Sequence, residues 1–591
     1  MPAPVPHNPS ITVDTPMPAP RWALLQRQLL SAQCEACREF YARYFDARGY
    51  LQCVPRWGGN DGPDDAAENQ LNWTMLHALG GDDDILDLFR MGFEGHLQQY
   101  TEARTVEVEF AREGMYYKEW PVSLDWFHHG EGFSSFLLYG LSEPYDHRYL
   151  QRARRYAAMY NGEDPTAPNY DREHRIIRSM FNGSRGPLLR PATPLEWAGD
   201  PIEVEGRFRA GHGERNFEEM LAHFAEYTDV VGDHPLNLEA THLGVLGYAL
   251  TGESKYRDWV LEYVDAWAER TAANGGIIPS NIGLDGTIGG AAGGQWYGGC
   301  YGWGFTVTVP QTGARAHRPA CYSRAHYGFG HGLLLTGDQR YVDVWRGVLD
   351  GVNAHAREVE GRTMYPHMHG AEGWYDFRPA PFSAGALELW YWSQNGQDRD
   401  RVRSTPWVRY LAGEDPLYPE RALESALENL RVKVERMRAD TSTPDTRLSD
   451  DMNSLNPATI ESLNQLMLGA LPVGRSCHTL HARLRYFDPE RNRAGLPPDV
   501  GALVERMDTD SVTVTLVNTS PVQARTVVLQ GGGYGEHQLE QASLGDRVTD
   551  LTGSGGTALS VRLEPGCGGQ LHIDQRRYAL PPCLNRPWDR C

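Results

Sequence analysis

A short phrase recurs along this chain and restricts the folds open to it. Leu250-Thr251-Gly252-Glu253-Ser254-Lys255-Tyr256 returns as Leu335-Thr336-Gly337-Asp338-Gln339-Arg340-Tyr341. Looser versions stand at Leu79-Gly80-Gly81-Asp82, Gly140-Leu141-Ser142-Glu143-Pro144 and Asn395-Gly396-Gln397-Asp398. In each, glycine can end one helix in the left-handed conformation, and Thr, Ser, Asp or Glu then opens the next with a favourable charge or cap.

Each phrase follows a small, apolar stretch and precedes a longer amphipathic one. The apolar stretches run over about 65–79, 131–141, 236–250, 325–335, 383–394 and 457–470. They carry Gly, Ala, Leu and aromatic residues on nearly every face, the pattern of a buried helix. Their partners, at about 21–46, 84–103, 145–160 with 215–230, 254–272, 340–357 and 418–438, space Arg, Glu and Asp outward. Buried helices alternating with amphipathic ones predict a closed ring, an inner barrel wrapped by an outer one. An open solenoid would not hide its inner helices on all sides.

Near residue 500 the period changes. Ser511–Asn518 alternates as a strand, and Thr526–Leu529 and Leu559–Leu563 follow between Gly-rich turns, which predicts a small antiparallel sandwich. The expected organisation is a flexible segment 1–20, a helical ring over 21–498 with insertions at 161–214 and 274–316, and a C-terminal β-sandwich with its tail over 499–591. The chain is thus read as mainly α, an (α/α)6 toroid of six helical hairpins followed by a sandwich. That arrangement resembles the carbohydrate-active toroids, which include glycoside hydrolases and polysaccharide lyases. The resemblance covers roughly 20–575, rests on architecture, and does not fix the function.

Composition narrows the partners. A formal charge of −21 with no visible basic stripe argues against nucleic acid. No run approaches the length of apolar chain a membrane helix needs, and no signal-peptide pattern opens the sequence, so a cytoplasmic location is expected. The nine cysteines are too sparse for a disulfide scaffold. Cys34 and Cys37 form a lone CxxC inside a helical pattern, read as two core thiols. A homo-oligomer is compatible with the sequence, which does not decide it.

The chemistry should sit on the segments that lead into the inner helices, because these are long and polar while the glycine turns are short and uniform. One lead carries Asp61, Asp64 and Asp65; the next carries Asp125, His128, His129 and Glu131, the last flanked by Gly130 and Gly132. A hydrolase needs a protonated acid and a second carboxylate. Glu131 with Asp61 or Asp65 could supply them, with His128 and His129 beside them, although Asp64 or Asp65 could equally cap the following helix. A lyase would instead take a Tyr or His base, from His128, His129, Tyr117, Tyr322 or His326, and a guanidinium to neutralise a uronate.

For substrate, the aromatic–glycine segment with Trp296, Tyr297 and Trp303 suits the apolar faces of sugar rings. Arg178 and Arg185 on the first insertion could hold a uronate. Tyr322, His326, Tyr375 and Arg378 complete the expected binding set. No cofactor is expected and no residue is assigned to a metal, although the same Asp and His residues are metal-capable; no HExxH spacing is present. The leading expectation is a glycoside hydrolase acting on oligosaccharides, with uronic acids among the candidates. A lyase acting by β-elimination is the alternative, and a non-catalytic sugar-binding protein the third.

Overall fold

The structure is a computed structural model that describes residues 9–57, 62–112, 114, 123–199, 214–308, 313, 315–317, 324–403, 405–474 and 478–590. Helices dominate as far as residue 468, and strands dominate after it. The helices include α1 (Arg21–Tyr44), α2 (Pro63–Glu68), α3 (Trp73–Leu79), α4 (Asp83–Glu102), α5 (Trp126–Tyr139) and α6 (His147–Ala158), followed by Thr241–Thr251, Ser254–Ala273, His326–Thr336, Arg340–Asn353, Ala386–Ser393 and Tyr418–Ala439. The two helix types expected from the sequence are both present. α3, α5, Thr241–Thr251 and His326–Thr336 are buried along almost their whole length, whereas α1, α4 and Arg340–Asn353 bury one face.

Successive helices pack as hairpins: α3 on α4, Thr241–Thr251 on Ser254–Ala273, and His326–Thr336 on Arg340–Asn353. α1, the first long helix, also packs against Tyr418–Ala439, the last. Full burial of Trp73, Trp126, Trp259, Trp267, Trp345 and Trp392 places the core along these seams. Cys34 and Cys37 are buried in α1, and burial pushes the Cys34 thiol up to about 11.

Three expectations are corrected. The stretch 457–470 forms only Glu461–Leu463 and a π-helical turn Asn464–Leu468, closed by Gly469 at a left-handed φ of 57°. The reason is that its backbone serves the strands as well: the Tyr486 hydroxyl donates to the Met467 carbonyl at 2.8 Å. The segment 1–20 was expected to be flexible, yet Ser10–Val13 is a strand paired in parallel with Ser560–Leu563. Strands also begin earlier than 499, at Leu484–Asp488.

Among the described residues, eight short strands pair as four two-stranded ribbons in the helical region, and ten strands form two five-stranded sheets. One orders Ser10–Val13, Ala558–Leu563, Arg525–Gly531, Leu484–Asp488 and Arg493–Ala494; the other orders Val500–Met507, Ser511–Asn518, Gly568–Arg576, Gln538–Leu544 and Arg547–Asp550. They lie against the glycine-turn ends of the helices. Arg485 donates to the Leu141 carbonyl at 2.6 Å, Arg493 to the His77 carbonyl at 2.7 Å, and the Leu584 amide to the Ala249 carbonyl at 2.9 Å. Gly80 and Gly337 have φ of 117° and 72°, and a Cβ on either would come within 2.8 Å and 2.6 Å of the Leu496 and Tyr578 carbonyl oxygens. These turns therefore need glycine twice over, for conformation and for close approach. With the sheets against this end, the helix leads open on the other.

Candidate functional site

The leads are neighbours. α2 packs on α5 and on the turn Ser449–Leu455; α5 packs on the turn Pro235–Ala240; that turn packs on His326–Thr336. α5 meets α2 at Gly132, where an added Cβ would sit in ordinary contact, 3.4 Å from the Asp64 Cα. This contact brings Asp64 to the acids and histidine of α5. Ligand-capable atoms of Asp64, His128 and Glu131 all lie within 4.8 Å of one another.

Asp125 organises this group. It caps α5 by accepting the His128 amide at 3.1 Å, and its Oδ1 also lies 2.7 Å from His128 Nδ1. Burial pushes the His128 imidazole down, but the charges of Asp125, Asp64 and Glu131 outweigh it and raise it to about 10. His128 is therefore a cation at neutral pH in this arrangement. Asp64 is only 4% exposed, and burial lifts its carboxyl to about 7, with His128 opposing and Glu131 adding to the rise.

Arg324 links this group to the third lead. Its guanidinium sits 3.7 Å from Glu131 Oε1 and 3.7 Å from Glu239 Oε1, lies 3.7 Å above the Phe127 ring centroid, and donates to the Phe127 carbonyl at 3.1 Å. Glu239 is 1% exposed, and neither carboxyl oxygen has a hydrogen-bond partner among the described residues. Burial drives its pKa well above the usual range, against Arg324 and with Glu131 and Asp125. Further round, burial raises the Glu388 carboxyl, which lies 3.8 Å from His326 Nε2. The Tyr327 ring packs on His478 with centroids 4.0 Å apart, and burial pushes His478 down to about 3.

The expected site residues divide accordingly. Glu131 and His128 lie together, with Asp64 beside them. Asp61 and Tyr322, like Tyr117, lie outside the described residues. Asp65 takes the capping alternative: its Oδ2 accepts the Gly62 amide at 2.8 Å, and Asp64 faces the site in its place. His129 is built into the wall, with Nε2 2.6 Å from the Asn182 carbonyl oxygen, and burial lowers its pKa to about 4. His326 is buried behind Glu388, with burial depressing its pKa strongly.

Among the aromatic residues, Trp303 is 0% exposed and donates its indole N–H to the Ile278 carbonyl at 2.8 Å, so it has no face to offer a sugar. Trp296 and Tyr297 are half-buried and gather round His369, with ring centroids 4.7 and 4.8 Å away. Tyr375 belongs to the same neighbourhood and donates to the Gly304 carbonyl at 3.3 Å. Arg378 is exposed and paired with Asp376.

The arginines of the first insertion are largely engaged by acids. Arg175 pairs with Glu269 at 2.5 Å and Arg172 with Glu262 at 3.9 Å, both on the outer helix Ser254–Ala273, and Arg178 lies 3.9 Å from Asp171. Arg185 is exposed. The residues that the sequence reading passed over are Glu239, Arg324, Tyr327, Glu388 and His478. Arg324 stood in the lead to His326 without being assigned a role. Glu239 and Glu388 carried a signal of their own, as lone acids in stretches otherwise apolar.

A family model described as "Domain of unknown function (DUF8034)" matches residues 10–366 and 403–464. No curated protein matches the chain. Solved structures similar to it include a D-mannose isomerase, with 10% identity and a TM-score of 0.35, covering 74% of this chain and 98% of that one. Another is the GH76A alpha-1,6-mannanase from Salegentibacter sp. HEL1_6, with 10% identity, a TM-score of 0.31, and coverage of 74% and 98%. A third is the beta-1,3-1,4-glucanase from Paenibacillus sp.X4, with 11% identity, a TM-score of 0.32, and coverage of 77% and 98%.

Proposed function

This chain belongs to the DUF8034 family, and we propose from its site that it is a carbohydrate-processing enzyme, a glycoside hydrolase working at the open end of a closed ring of helical hairpins. The observation that carries the reading is Glu239. A proton donor to a glycosidic oxygen must hold its proton at working pH, and an acid 1% exposed, with no hydrogen bond to its oxygens among the described residues, does so. Glu131 stands on the other side of Arg324, tied to a fixed positive charge, and is the carboxylate that handles water. Two acids in unlike surroundings are what acid–base cleavage of an acetal requires.

The lining also selects the sugar. Among the described residues Arg324 and His128 are the cations of this lining, and Glu131 and Asp125 already engage them, which leaves none for a uronate. The substrate proposed is therefore a neutral oligosaccharide, with Trp296 and Tyr297 as stacking surfaces. A second reading is proton abstraction beside a carbonyl, as in β-elimination. It is favoured by His478, which burial keeps neutral and whose Nε2 has no hydrogen-bond partner among the described residues.

The test is turnover on a panel of neutral and uronic oligosaccharides. Glu239→Gln and Glu131→Gln should each lower reducing-end release by about 100-fold or more. His478→Ala should leave hydrolysis within a few-fold. Loss of turnover in His478→Ala alone would transfer the chemistry to the second reading.

A further inference from the structure

We infer that Asp64, His128 and Glu131 form a binding site for one divalent transition-metal cation of the zinc or manganese class. Three features of the arrangement converge on this. The first is distance: one oxygen or nitrogen from each side chain lies within 4.8 Å of the other two, so a single ion can be reached by all three with small side-chain adjustments.

The second is the orientation of the imidazole. Asp125 takes His128 Nδ1 at 2.7 Å and also caps the helix through the His128 amide, so the ring is fixed by a residue that is itself 0% exposed. With Nδ1 engaged, Nε2 is the nitrogen left to bind an ion, which displaces to solvent the proton that the surrounding acids otherwise hold there. A carboxylate holding the far nitrogen of a ligand histidine is the usual outer partner of such a metal site, and it sets the tautomer.

The third is Asp64. It is 4% exposed, and the charge of His128 opposes the burial that lifts its carboxyl. A carboxylate in that position is costly unless something cationic meets it. Arg324 is placed between Glu131 and Glu239, so His128 is the cation that meets Asp64 among the described residues, and an ion held by His128 takes over that role. The donor set, two carboxylate oxygens and one imidazole nitrogen, favours a borderline divalent ion over calcium, which prefers an all-oxygen shell. Three protein ligands leave a coordination position for a water or a sugar hydroxyl.

The inference adds to the hydrolytic reading and does not depend on it, because its test reads metal and not turnover. The full chain is stripped with a chelator and exchanged into buffer with Co²⁺, then Zn²⁺ or Mn²⁺. The expected result is one equivalent of metal per chain by elemental analysis and a visible Co²⁺ absorption band that Zn²⁺ bleaches. His128→Ala and Asp64→Ala should abolish the band, Asp125→Asn should weaken affinity about 10- to 100-fold, and Asp450→Ala, in a separate acidic group, should leave it intact.

Less than a tenth of an equivalent on the wild-type chain would overturn the inference without any variant having to fold. So would an equivalent that survives in folded His128→Ala and Asp64→Ala. Metal uptake without glycoside cleavage would end the hydrolytic reading alone, and cleavage by a chain that takes up no metal would end the cation site alone.

Discussion

Replacing Arg324 with methionine tests how the site is held together. The guanidinium sits 3.7 Å from both Glu131 and Glu239, and all three side chains are nearly buried. Removing one partner of a buried ion pair costs about 3–5 kcal/mol, because the remaining charge is stranded. Both separations exceed a hydrogen-bond length, and Glu239 already holds its proton, so Glu131 alone is stranded and the lower end, about 3 kcal/mol, is expected. Loss of the cation over Phe127 adds about 1 kcal/mol. The assay is urea unfolding followed by tryptophan fluorescence, with the helical and sheet transitions fitted separately, since a chain of this size need not unfold in two states. Arg324→Met combined with Glu131→Gln removes the stranded acid and should recover at least half of the loss. A single variant within 1 kcal/mol of wild type, or a double variant no better than the single, would refute the idea that Arg324 balances these acids.

Other outcomes follow from the same packing. Trp303→Ala should cost about 3–5 kcal/mol of stability, because it empties a fully buried site. Trp296→Ala should raise KM for oligosaccharide with little change in the unfolding midpoint, and the reverse pattern would exchange the roles of the two rings. In the sheet region, burial raises the Glu536 carboxyl to about 7 against the Tyr534 and Gly533 amides that it accepts. Its pKa is then higher folded than unfolded, so the folded chain holds the extra proton and stability falls as pH rises from about 4.5 through 7. That loss, on the order of 3 kcal/mol at most, should be measurable as a lower unfolding midpoint at pH 8 than at pH 5 and should shrink in Glu536→Gln.

The helices were legible because two signals agree at each hairpin: a glycine turn with a capping residue, and a change from all-round to one-sided apolarity. The N-terminal strand was not legible. Ser10–Val13 is fixed by parallel pairing with Ser560–Leu563, at the far end of the chain, and local periodicity carries no trace of such a partner. The helix expected over 457–470 was shortened for a similar reason, since the Met467 carbonyl is used by Tyr486 from the sheet.

At the site, Asp64 and Asp65 are adjacent in sequence and so point about 100° apart on a helix. Pattern alone could not say which one caps and which one faces inward. Glu131 was found because glycines flank it in a polar lead. Glu239 was missed because it lies within an apolar run, where an acid is read as an exception and not as the feature the run surrounds.

The central claim is that water, and not an internal base, completes bond cleavage. It is tested most directly by digesting a neutral oligosaccharide and, beside it, a uronate-containing one in oxygen-18 water and analysing the products at once by mass spectrometry. The account predicts that each cleavage places one labelled oxygen on the new reducing end, with no unsaturated product and no ultraviolet band. Unlabelled cleavage with an unsaturated sugar as product would contradict it, and would leave Glu239 and Glu131 without the roles assigned to them.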